Sequence, residues 1–373
     1  MPGMHAVSLK LQDIRCMILG KSEVRIGNYG KDFAKGGDPL KKAKLSECLA
    51  RALAIGNVQD SVEAKRTISR RVFLASATTL AVGFGTGRLL AAARADAEET
   101  INSRTRRVTV GAHPWVYAAT QPHSDITPVL NQIFADMSYA GMDGVELMGT
   151  ALRPADAVDR IGELSHKYRL PVIGTSFGGD MWNHDAHQAV LEDADLVITR
   201  LARLKGRTLG TSVGAAPKPK TPQQLDAQAE LLRKIMALCQ AHGITLNLHN
   251  HTYEVQESEY DLKGTLARIP GVKLGPDLNW LLRAGVDPAG FIRRYGNRIV
   301  FLHLRDQKAD GTWPEAMGEG DMDYAAISRA LRKIGFTGDA VIELAHEKDF
   351  KLTRPLRESL KMSREYVRKT MGY

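Results

Sequence analysis

The chain has 373 residues, 43% of them hydrophobic and 25% charged, with three cysteines and a net charge of +9. This is a globular composition with enough apolar residues to build a full core. No segment reaches the roughly 20 uninterrupted apolar residues of a spanning helix, so no stable membrane anchor is expected.

The charge is unevenly placed. Residues 1–97 hold 16 of the 51 Lys and Arg but only 8 of the 42 Asp and Glu, which leaves 35 basic and 34 acidic residues for the rest of the chain. The body is therefore nearly neutral and lacks the bulk positive charge that binding to a nucleic-acid backbone needs. The cysteines are Cys16, Cys48 and Cys239, and only Cys239 lies in the body. That excludes an intramolecular disulfide there and a Cys-rich zinc site. Cys239 falls in an amphipathic stretch, Leu231 to His242, and reads as a small core residue.

Residues 1–60 show no sustained helical or strand period. The first 65 residues read either as a disordered pre-sequence or as translation assigned upstream of a true start near Val62. Ser69-Arg70-Arg71-Val72-Phe73-Leu74 resembles the twin-arginine export motif. A weakly apolar run follows to about Gly87, then Ala95-Asp96-Ala97 as a cleavage site. Residues 66–97 thus read as an export signal, which implies the twin-arginine machinery as a partner and a periplasmic or exported product. Neither segment is expected to contribute to the fold.

From Val108 onward, strand-like and helix-like segments alternate. The strands are Val108–Ala112, Gly144–Met148, Pro171–Thr175, Thr208–Val213, Ile244–His251, Val272–Asp277, Ile299–Leu304 and Ala340–Leu344. The helices are Ile126–Ala140, Ala155–Tyr168, His187–Leu204, Pro222–His242, Leu262–Ile269, Pro288–Tyr295, Tyr324–Ile334 and Pro355–Thr370. Thr221-Pro222, Asp287-Pro288 and Asp323 are helix starts. Gly243, Gly271 and Gly335 sit just past helix ends. Eight such pairs over residues 98–373 predict a single-domain (β/α)8 barrel.

Strand phase indicates what points inward. In the fifth strand Ile244, Leu246 and Leu248 share one face, whereas Thr245, Asn247, His249 and His251 face the axis. The same phase turns Glu146, Asp277, His303 and Glu343 inward, near the carboxyl ends of strands, where barrel active sites lie. Asp277, His303 and Glu343 with His249 offer oxygen and nitrogen donors suited to one divalent cation, Mn, Zn, Co or Mg. His251 faces the same way and is the other candidate for the fourth ligand.

The pieces His249-Asn250-His251-Thr252-Tyr253-Glu254, Asp277-Leu278-Asn279-Trp280, Ala284-Gly285-Val286-Asp287-Pro288, His303-Leu304-Arg305-Asp306, Gly318–Asp323 and Ile342-Glu343 together resemble the sugar phosphate isomerase/epimerase superfamily of xylose isomerase-like barrels. The resemblance runs from Val108 to the C-terminus. It implies a metal held by a Glu, an Asp, a His and a Glu from strands 5 to 8. Asp277, His303 and Glu343 match the last three, while His-Asn-His replaces the strand-5 Glu, as in inosose dehydratases and keto-sugar-processing relatives. The implied function is a divalent-metal-dependent isomerase or epimerase acting on a keto-sugar or cyclitol through a metal-stabilised enediolate. A lyase, dehydratase or 3-keto-glycoside-cleaving enzyme on the same site is the runner-up, and a nuclease of the endonuclease IV type is disfavoured by the neutral body. Glu254, His251 and Glu343 are the candidate proton-transfer groups. Glu146, His113, Trp280 and Arg305 are the candidates for holding substrate, with orientation of a ligand as the other reading of Glu146. Oligomerisation is left open.

Overall fold

The computed structural model describes residues 9–11, 14–19, 23–26, 108–347 and 349–373. Leu9–Leu11, Ile14–Leu19 and Glu23–Ile26 pair as a small antiparallel sheet, in a stretch where the sequence shows no strand period. They belong to a compact unit, Met1–Ala91, separate from the unit Ala92–Tyr373. The export motif at Ser69–Leu74 and the small-residue run at Ala95–Ala97 lie outside the described residues.

The second unit carries eight parallel strands: β1 (Thr109–Ala112), β2 (Gly144–Met148), β3 (Val172–Gly178), β4 (Thr208–Ser212), β5 (Thr245–Leu248), β6 (Lys273–Leu274), β7 (Phe301–Leu304) and β8 (Asp339–Ile342). They run in the order β7-β8-β1-β2-β3-β4-β5-β6. Parallel bridges Leu274–Ile299 and Asp277–His303 join β6 to β7, so the sheet nearly closes. The helices around it are α1 (Leu130–Tyr139), α2 (Ala157–Tyr168), α3 (His187–Arg203), α4 (Pro222–Ala241), α5 (Thr252–Arg268), α6 (Leu278–Arg283), α7 (Pro288–Tyr295), α8 (Tyr324–Lys333) and α9 (Leu356–Met371). This is the expected (β/α)8 barrel. No described helix is long and apolar enough to cross a membrane.

The helix-start signals act as read. Thr221 and Gln224 form a reciprocal capping box at α4, Asp287 caps α7 and Asp323 caps α8. Gly243 and Gly335 take left-handed φ values of +69° and +64°. Gly271 has no such φ, so its place after α5 is not a left-handed cap. Cys239 is buried, as expected.

Side chains from alternate strand positions fill the barrel in layers. Ile173, Phe301 and Val341 form a small apolar cluster inside it. Gly111 and Gly144 make room for Ile173: a Cβ there would meet its side chain at 2.6 and 2.4 Å. One pleat repeat further along the same strands stand His113, Glu146, His303 and Glu343. The apolar layer closes the floor, and the polar layer above it lies at the carboxyl ends of the strands. A larger core packs the outer strand faces, including Leu246 and Leu248, against the helices.

Candidate functional site

β5 ends at Leu248, so His249 is the first residue beyond it and His251 is the residue before α5. His249, Asp277 and His303 present ligand-type atoms within 4.8 Å of one another. His249 and His303 face each other Nδ1 to Nδ1 at 3.1 Å, and Glu343 Oε2 lies 3.2 Å from His303 Nδ1. The four side chains expected from strands 5 to 8 therefore do converge. His251 stands beside them: its ring centroid is 4.9 Å from that of His249, its ring stacks on Tyr253, and its Nδ1 faces Ser212 Oγ at 3.3 Å.

Glu146 lies beneath this group and not on the rim. It is fully buried, and its Oε2 is 2.5 Å from His303 Nε2. A carboxylate there places the ring proton on Nε2 and turns Nδ1 toward His249 and Glu343. Metal-binding histidines are commonly oriented by such a carboxylate. Of the two parts expected for Glu146, contact with a sugar hydroxyl or orientation of a ligand, this contact with His303 is of the second kind. His113 is likewise buried: its Nδ1 accepts from Trp115 N at 3.2 Å, its Nε2 faces Ser176 at 3.1 Å, and Glu343 lies 3.4 Å away. It backs Glu343 and does not line a rim.

Arg305 is also buried, with its guanidinium 2.8 Å from Glu343 and 3.4 Å from Asp277. Trp280 and Trp313 flank it, with ring centroids 5.4 and 5.2 Å from Cζ. Nothing in the sequence pattern singles out Trp313; only its loop position after β7 brings it to Arg305. Asp306 closes that loop by accepting from the backbone N–H groups of Gly318, Gly320, Met322 and Gln307.

The electrostatics follow from these distances. Burial opposes ionisation of both Asp277 and Glu343, but the nearer contact with Arg305, helped by His303 and His113, holds Glu343 well below its ordinary value. Asp277, where burial wins over the more distant Arg305, is pushed up to about 6. Burial works against a charged His303, yet Glu146 and Glu343 raise it to about 9. Burial, with the charges of His251 and His303, lowers His249 well below 6.5.

A divalent cation fits this donor set. Three buried carboxylates, Glu146, Asp277 and Glu343, stand against one guanidinium. The field that keeps a second proton on His303 also favours a cation beside its Nδ1. Asp277 Oδ1 caps α6 through Asn279 N at 2.8 Å and Trp280 N at 2.9 Å, and among the described residues its Oδ2 accepts only the long contact from Arg305 at 3.4 Å. His249, Asp277, His303 and Glu343 are the residues that would hold the ion.

At the rim, Glu254 and His251 are linked through Ser212. The Ser212 hydroxyl donates to Glu254 Oε1 at 3.0 Å, and its oxygen also lies 3.3 Å from His251 Nδ1 and 2.7 Å from the Tyr253 hydroxyl. Glu254 Oε2 also accepts from His251 N at 2.7 Å, which starts α5. Ser212, at the end of β4, carries no sequence signal of its own.

The comparisons with known proteins agree with this architecture. The family model of the xylose isomerase-like TIM barrel matches residues 134–366. The rhizopine catabolism protein MocC of Rhizobium meliloti is 24% identical over 257 residues, covering 61% of this chain and 77% of that protein. The inosose dehydratase of Clostridium perfringens strain 13 is 27% identical over 268 residues, covering 64% of this chain and 88% of that protein. A solved L-ribulose 3-epimerase superposes with a TM-score of 0.58 at 22% identity, over 71% of this chain and 95% of that one, a likeness of fold. On the match across most of the barrel, this chain belongs to the xylose isomerase-like TIM barrel family.

Proposed function

We propose that the chain is a divalent-metal-dependent enzyme that isomerises or epimerises a keto-sugar or cyclitol. The observation that carries this reading is the convergence of His249, Asp277, His303 and Glu343 at the ends of β5 to β8. A divalent cation held there would polarise a substrate carbonyl and acidify the neighbouring C–H. His251 is the proton-transfer group: its side chain is 40% exposed, and burial lowers its pKa, which keeps the ring neutral at pH 7. Ser212 engages Nδ1 at 3.3 Å, which leaves Nε2 as the ring nitrogen that exchanges the substrate proton. Glu254 holds Ser212 and the backbone of His251, so it positions the base. Arg305 supplies a fixed charge beside Glu343, and Trp280, half-buried 5.8 Å from the His251 ring, offers a face for a sugar ring.

Dehydration shares the first proton transfer and differs in expelling a β-hydroxyl afterwards; the inosose dehydratase relatives support it as the second reading. The proposal includes export through the twin-arginine route, supported by the order of arginine pair, apolar run and small-residue site in residues 69–97.

The test is NMR detection of solvent deuterium entering the carbons next to the carbonyl in a panel of ketoses and inososes. Exchange by the wild type, reduced at least a hundredfold in His251→Ala, is expected. No exchange in any member of the panel would contradict the proposal. Accumulation of an unsaturated product would select dehydration.

A further inference from the structure

A second group of metal-liking side chains lies away from the ends of β5 to β8. The ligand-type atoms of His184, His187 and Glu230 all fall within 4.8 Å of one another. His184 opens the 3-10 turn His184–Ala186 in the β3–α3 connection, His187 is the first residue of α3, and Glu230 lies in the middle of α4. Asn183 pins the turn by accepting from Asp185 N at 3.2 Å.

His187 is the informative member. It is only 7% exposed, and its Nε2 lies 2.9 Å from the carbonyl oxygen of Met181. A carbonyl only accepts, so Nε2 carries the proton and Nδ1 bears a lone pair. That Nδ1 is buried and has no hydrogen-bond partner. The carbonyl is itself anchored, because Met181 N donates to Val213 O at 3.1 Å and Gly179 O at 2.8 Å. An imidazole that gives one N–H to a fixed carbonyl and keeps the other nitrogen bare is oriented as metal-binding histidines are. The His184 ring lies 4.8 Å from it, tilted by 37°. Glu230 uses Oε1 for Lys234 Nζ at 2.8 Å, which leaves the carboxylate further acceptor capacity.

We propose that His184, His187 and Glu230 form a second divalent-metal site, which takes a borderline transition-metal ion such as Zn2+ on two imidazole nitrogens and one carboxylate oxygen. Two imidazoles select against Mg2+ and Ca2+, which prefer oxygen ligands throughout. Tetrahedral zinc with bonds of about 2.0–2.1 Å needs donors roughly 3.3 Å apart. The exposed His184 and Glu230 close onto the buried His187, whose position is set. Lys234 and the N-terminus of α3 oppose a cation here, but both act across solvent-exposed ground where screening is strong. The bound ion braces the β3–α3 connection against α4.

The test uses the full chain, stripped with chelator and titrated with Zn2+ against a chromophoric competitor. Wild type is expected to bind one more equivalent than His184→Ala or Glu230→Gln, with micromolar or tighter affinity, and Lys234→Ala is expected to tighten that equivalent. Both substituted residues that remove ligands are exposed, so folding should survive, and circular dichroism checks this. The equivalent must persist in Asp277→Ala, which separates it from the barrel centre and from the fate of the proposed function. Equal zinc stoichiometry and affinity in wild type, His184→Ala and Glu230→Gln would overturn the proposal, as would an extra equivalent that appears only at millimolar zinc.

Discussion

Glu254 and His251 read in the sequence as two candidates for one task, removal of a proton. The geometry divides the task between them. Glu254 is 4% exposed and spends both oxygens, on Ser212 and on the His251 backbone, whereas the His251 ring reaches solvent. Burial pushes the Glu254 carboxyl up to about 7 from 4.5. Between these values the folded state holds a proton that the unfolded state has released. Stability therefore falls as pH rises from about 4.5 to 7 and levels off above. The size of this loss is on the order of 3 kcal/mol. Glu254→Gln keeps an acceptor for His251 N and removes the titration. Urea unfolding should show the wild type losing stability between pH 5 and pH 8 relative to Glu254→Gln. Parallel profiles would contradict the burial argument. Strand phase makes it legible that Glu146 points inward, but phase carries no information on depth. That is why the contact of Glu146 with His303, and the burial of His113, needed three dimensions.

At the level of elements, the sequence shows where helices start, because Thr221, Asp287 and Asp323 cap through side chains adjacent in sequence. It does not show the interruption in α5. Glu257, Ser258 and Glu259 take left-handed φ values of 50°, 59° and 66° with no glycine among them. Left-handed backbone costs a side-chain-bearing residue roughly 1–2 kcal/mol. Contacts from other elements hold the segment there: buried Glu259 accepts from Arg294 at 2.6 Å and from the Tyr295 hydroxyl at 2.7 Å, both on α7. Those partners lie 35 and 36 residues away, beyond any local pattern. Ser258 is exposed, and its carbonyl, which accepts from Lys263 Nζ at 2.7 Å, survives substitution. Ser258→Gly should therefore raise stability by about 0.5–1 kcal/mol after glycine's entropy cost. Glu259→Ala should lower it by about 1–3 kcal/mol through the lost charged hydrogen bonds. Thermal unfolding checks both, and a destabilised Ser258→Gly would show that the left-handed turn is not strained. β6 has only two residues, too few for alternation to mark its end, and α6 is absent from the sequence reading because it begins within the Asp277 motif.

Across the whole molecule, one regularity organises the barrel: residues two apart on each strand share the axis-facing side. Gly111, Gly144, Ile173, Phe301 and Val341 close the floor, and His113, Glu146, His303 and Glu343 carry the polar chemistry above it. Period-2 phase and the order of elements are properties of the chain alone, which is why the fold and the convergence from β5 to β8 could be read before the structure. The partners of those side chains depend on closure of β6 onto β7, where Asp277 bridges to His303. The central claim is that this layer holds one divalent cation. Its most direct test is elemental analysis of the full chain after equilibration with Mn, Zn, Co or Mg. The His184→Ala background silences the second group of ligands. That protein should hold one equivalent of one of these metals, and adding Asp277→Ala or His303→Ala should remove nearly all of it. Retention of the full equivalent in those double variants, or no binding of any of the four metals by the His184→Ala protein, would contradict the account.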